Sequence, residues 1–123
     1  MKSLLVIALV LLAGITHAQS KEASLLTGKT WTLQSDEMTG LGTHMSLTDN
    51  TKLEFAADGT WKSTEPIKGT KQGTWSLENN NKTLVMDFQT EKMNYLILLL
   101  SETALHYQYK KNAATYKYKW AVK

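Results

Sequence analysis

The chain contains no cysteine, no arginine and a single proline, Pro66. Without cysteine there is no disulfide and no thiolate metal site, so stability has to come from burial. Without arginine the usual reader of phosphates and base edges is missing, and nucleic acid is not an expected partner. Long apolar runs are also scarce: past residue 18 the longest stretch of this kind is 96–100, too short to cross a membrane as a helix. Histidine is sparse. His44 and His106 have no ligand spacing with Asp or Glu, so no metal or other cofactor is expected. No Ser-His-Asp pattern, nucleophile elbow or phosphate loop is present, and an enzyme is the least favoured class.

The N-terminus does carry one short apolar run. Lys2 precedes the segment 4–12, and Thr16-His17-Ala18 offers a small-x-small cleavage site. Residues 1–18 therefore read as a signal peptide, and 19–123 as one exported domain, periplasmic or extracellular. Losing Lys2 lowers the formal charge from +3 to +2. A short helix or arm is expected over 20–26, broken by Thr27-Gly28.

From Trp31 onward the apolar residues recur with period two, the mark of half-buried strands. Strands are expected at 29–34, 51–56, 60–65, 71–77, 83–88, 94–100, 105–110 and 115–122, with Pro66 ending the third. The segment 35–50 reads either as a long lid-like loop or, in its last part, as an extension of strand two. Eight short strands joined by brief turns predict an all-β fold, an eight-stranded antiparallel up-and-down barrel, with a β-sandwich as the rival. If each strand turns its apolar parity inward, every Trp, Tyr and Phe of the strands faces the core.

A family likeness is carried by Leu26-Thr27-Gly28-Lys29-Thr30-Trp31, by Leu53-Glu54-Phe55-Ala56-Ala57-Asp58-Gly59-Thr60-Trp61, and by Gly73-Thr74-Trp75-Ser76-Leu77 followed by Thr83-Leu84. The pattern resembles the lipocalin-like proteins of the calycin group, in particular the small exported bacterial versions. Two residues rather than one separate Gly28 from Trp31. The resemblance implies a barrel closed at one end, a small apolar or amphipathic ligand, and no catalysis.

Up-and-down order assigns residues to barrel ends. Trp31, Trp61, Trp75 and Trp120 fall at one end as a packed floor, covered by the N-terminal arm. Phe88, Tyr95, Tyr107, Tyr109, Tyr116, Tyr118 and Glu65 fall at or near the other. With Leu33, Met45 and Met86 they make up the candidate ligand-binding set. The alternative is a solid barrel whose outer surface carries the function. Between Tyr107 and Lys123, lysines and tyrosines alternate, which reads as a wet lysine face over a tyrosine core. Strand 94–100 is apolar on both faces. By parity with Tyr95, its outer row would be Leu96, Leu98 and Leu100, a patch suited to a homodimer or a protein partner.

Overall fold

The computed structural model describes residues 20–42, 46–47 and 49–122. The expected signal peptide and the candidate Met45 lie outside the described residues. A single helical turn and a half, α1 (Lys21–Leu26), precedes eight strands. These are β1 (Trp31–Gly40), β2 (Lys52–Phe55), β3 (Thr60–Ile67), β4 (Thr70–Glu78), β5 (Thr83–Asp87), β6 (Lys92–Leu100), β7 (Ala104–Lys111) and β8 (Ala114–Ala121). They form a closed antiparallel barrel in sequence order, an architecture that fits a lipocalin-like fold.

Helix α1 begins at Ser20, whose Oγ accepts from the Ala23 amide at 3.0 Å. It ends at Thr27, where both the amide and the hydroxyl donate to the Ala23 carbonyl. Leu26 is fully buried, and its carbonyl accepts the Trp31 indole N–H at 3.0 Å. Glu22 accepts from the Asn81 amide in the β4–β5 turn. The helix therefore plugs the end where β1 starts. That turn is built from Asn79, Asn80 and Asn81, all at positive φ, a region Asn enters more readily than most side chains.

Strand β1 is longer than the pattern predicts. It continues to Gly40 because β8 supplies a partner along its whole length, from Thr32 opposite Ala121 to Gly40 opposite Ala114. The segment 35–50 is thus strand in its first part. Against β2, by contrast, β1 pairs through Trp31 and Thr32 alone. Strand β3 likewise runs through Pro66 to Ile67. Proline has no N–H to donate, and the β3–β4 ladder is interrupted between Lys62 and Ile67. Ile67 is the buried residue there and Glu65 is exposed, so Glu65 does not face the interior as expected.

The lumen is filled. Trp31, Trp61, Trp120, Phe55, Phe88, Leu53, Leu84, Met86 and Leu105 are all under 2% exposed. Burying each of these side chains is worth about 1.5–3 kcal/mol before chain entropy is counted. Thr74 of β4 pairs with both Thr60 and Asp87, so the start of β3 lies level with the end of β5. Strand tilt makes this stagger unavoidable in a closed barrel. It carries Phe88 away from the tyrosines and onto Trp61, at 5.2 Å between ring centroids. Gly73 makes room for that indole: a Cβ there would collide with the Asp87 carbonyl and lie 2.8 Å from Trp61 Nε1. Gly73→Ala is therefore expected to lower stability by about 1–3 kcal/mol in urea unfolding. An unchanged midpoint would show that the wall yields at this point.

Candidate functional site

The tyrosines assemble as expected, on three adjacent strands. Tyr95 of β6 lies 4.6 Å from Tyr107 and 5.6 Å from Tyr109 of β7, ring centre to ring centre. Tyr118 of β8 stands 5.6 Å from Tyr107 and 6.1 Å from Tyr95. Tyr109 and Tyr116 stack nearly parallel at 4.8 Å. The β7–β8 register causes this, because Tyr107 faces Tyr118 and Tyr109 faces Tyr116. Tyr95 and Tyr107 are buried, whereas Tyr109 and Tyr118 are half-buried at the open side of the cluster.

Three of their hydroxyls have partners within this cluster. Trp120 Nε1 donates to the Tyr107 hydroxyl at 3.0 Å, which joins the tryptophan floor directly to the tyrosine cluster. The Tyr118 hydroxyl donates to Tyr109. Burial pushes the Tyr95 hydroxyl well above the ordinary 10.0, and the neighbouring phenols add to the shift. Burial also raises Tyr107, against the pull of the Trp120 bond. Tyr118 is raised by burial, then by Tyr109 and by the charge of Asp36.

Asp36, which is not among the candidate residues, also belongs to this end. A bulge between Leu33 and Ser35 shifts the parity of β1, so Asp36 pairs with Tyr118 and Met38 with Tyr116. Asp36 accepts the Leu47 amide, which ties the following loop to the barrel, and Leu47 packs against the core. Lys68 is the second unexpected member. It sits at positive φ in the β3–β4 turn, with Nζ 5.7 Å from the Tyr109 ring centre and 3.5 Å from a Glu91 carboxylate oxygen.

Other candidates fall elsewhere. Leu33 pairs with Trp120 in the core, Met86 is sealed opposite Trp75, and Phe88 lies against Trp61. Of the expected floor, Trp31 sits at the plugged end, and Trp61 pairs with Phe55, itself bridged to Thr27 just before β1, with its indole donating to the Asp87 carbonyl at the end of β5. Trp75 is half-buried, edge-on to Phe55 at 5.6 Å. The outer row of β6 is also revised. A bulge between Ile97 and Leu99 sets Leu99 opposite His106 and Leu100 opposite the buried Leu105. Leu100 therefore packs on the core, and the exposed row is Leu96, Leu98 and Leu99.

Among the described residues, the barrel wall carries two grooves of note. One, of about 1100 Å³, is lined by Thr30, Glu54, Lys62, Gln72 and Asp87 on the outside of β2–β4. The other, of about 510 Å³, runs between β6 and β7 past Lys92, Leu96 and Lys110. Among the described residues, no helix is long and apolar enough to cross a membrane, and no group of His, Cys, Asp and Glu is placed to hold a metal ion.

The cluster makes two predictions. Trp120→Phe leaves the buried Tyr107 hydroxyl without its donor and should cost about 1–3 kcal/mol. Equal stability of the variant in urea would show that the hydroxyl finds another partner. The phenols also hold their protons more tightly folded than unfolded. Their contribution is complete below pH 10.0 and falls as pH rises above it, where unfolded tyrosines ionise. Urea midpoints should drop steeply in that alkaline range, and a flat profile there would contradict the burial of the cluster.

No protein-family model matches the chain, and no curated protein matches it.

Proposed function

We propose that the chain is an exported, lipocalin-like protein that seats a small amphipathic ligand at the tyrosine end of its barrel. The observation that carries this reading is the difference between the two ends. One is shut by Leu26 and Trp31. The other ends in half-buried phenols rimmed by Asp36 and Lys68. Aromatic faces with a few convergent polar groups suit a ligand that is apolar over most of its surface.

The packing also limits the seat. Because Leu33, Met86 and Phe88 are enclosed in the core, the ligand rests on Tyr109, Tyr116 and Tyr118 rather than deep in the lumen. Its apolar part lies on the stacked rings, and its polar group meets the Tyr118 hydroxyl and the rim. The Lys68 side chain, held by Glu91, moves aside for entry. Export is part of this reading through the expected signal peptide at 1–18, and on it the site would face the periplasm or the cell exterior. The reading includes no catalytic step.

Titration with an apolar fluorescent dye is expected to show saturable binding that Tyr109→Ala weakens about tenfold, the loss of one aromatic contact in a desolvated site. Native mass spectrometry of protein purified from its own host should show a bound small molecule that denaturation releases. Absence of dye binding together with a ligand-free mass would remove the reading.

A further inference from the structure

The outer face of β6, β7 and β8 combines an exposed apolar row with a ring of lysines. Its apolar part is the row Leu96, Leu98 and Leu99, exposed at 48%, 45% and 44%. Around this row stand Lys92, Lys110, Lys117 and Lys119, with His106 and Gln108 between them. The ladders fix the arrangement: Leu96 is opposite Gln108, Leu99 opposite His106, and His106 opposite Lys119. These three strands contain no Asp or Glu at all. Acids enter at the flanks, where Asp87 pairs with Lys92 and Glu37 with Lys117, leaving Lys110 and Lys119 without a carboxylate across the ladder. His106 registers the resulting field: desolvation first, then Lys119 and Lys117, hold it below the ordinary imidazole range.

We propose that this face docks on an anionic lipid bilayer surface, with the leucine row entering the headgroup layer and the lysines pairing with lipid phosphates. Apolar side chains flanked by lysines are the makeup of an interfacial membrane contact. The groove between β6 and β7, with Lys92 and Lys110 on its rim and Leu96 in its wall, gives a headgroup phosphate a place beside the apolar row. Charge argues against a second copy, since a two-fold contact would set lysine against lysine. A nucleic acid or other polyanion would satisfy the lysines but leave the leucines in water. The groove shares Tyr109 with the mouth, but the leucines and lysines that carry the inference lie on the outer face and form no part of the ligand seat, so the two readings fail separately.

The test is vesicle flotation of the full chain with phosphatidylcholine alone and with phosphatidylcholine mixed with phosphatidylglycerol. Variants differ from the full chain only on this face, so residues 1–18 contribute equally to every arm. Binding to the mixed vesicles is expected, falling with added salt. Lys110→Gln with Lys119→Gln should lower the partition coefficient about thirtyfold. Leu96→Gln with Leu98→Gln should lower it about tenfold, with the far-ultraviolet spectrum unchanged. If the leucine pair fails to fold, the lysine pair alone decides, since both lysines lie on the outer face of the wall, opposite Thr115 and His106. Equal flotation with both vesicle types and no response to the variants would overturn the proposal. Failure to bind mixed vesicles would also overturn it. So would heparin binding that ignores the leucine variant, or a dimer in sedimentation that Leu98→Gln dissolves.

Discussion

The ladder between β1 and β8 is the constraint on which the rest of the molecule depends. It joins the first strand to the last and removes both sheet edges. Once eight strands close, the lumen is just wide enough for side chains to fill it. This barrel fills it with tryptophan, tyrosine, phenylalanine and leucine. With no disulfide available, closure and that filling together supply the stability. The β1–β2 ladder, in contrast, holds through Trp31 and Thr32, with one further bond from the Leu33 amide to the Thr51 carbonyl at 2.9 Å. Beyond that point the strand partner of β1 among the described residues is β8, and Asp36 accepts the Leu47 amide.

Much of this was legible from alternation. Strand number, strand order and the inward parity of Trp31, Trp61, Trp120, Tyr107 and Tyr118 all follow from period two, which is strict where a strand has one wet face. What alternation does not carry is a bulge. A bulge adds one residue to one strand, leaves no mark in composition, and reverses every side chain beyond it. Two bulges account for two of the departures. The one near Gln34 turned Asp36 and Met38 inward, and the one near Leu98 moved Leu100 in and Leu99 out.

The remaining departures come from stagger. Counting strand starts and ends treats the barrel as a stack of level rings. Tilted strands do not meet level, so the start of β3 lies beside the end of β5, and Trp61 meets Phe88. Glu65 illustrates a third limit, since its neighbour Pro66 breaks the ladder and leaves the buried position to Ile67. The tyrosine cluster survived these effects because it rests on β6, β7 and β8 before any bulge intervenes. From Ala104 opposite Ala121 to Lys111 opposite Ala114, the β7–β8 register runs without a shift.

That unbroken register has a further consequence for how function can be distributed. On β7 and β8 the inner side chains are phenols and an indole together with Leu105 and Ala114, and the outer ones are mainly lysine, histidine, glutamine and threonine. The same two strands therefore carry the tyrosine cluster on one face and the basic surface on the other. They are rigidly coupled, because Trp120, Tyr107 and Tyr118 pack as one unit behind the lysines. The β6 bulge adds the apolar element to the outside without disturbing the inside, since Leu100 replaces Leu99 in the core. A barrel wall only one strand thick can in this way present two chemically opposite surfaces. Period two separates them, and a single extra residue at Leu98 gives the outer one its leucines.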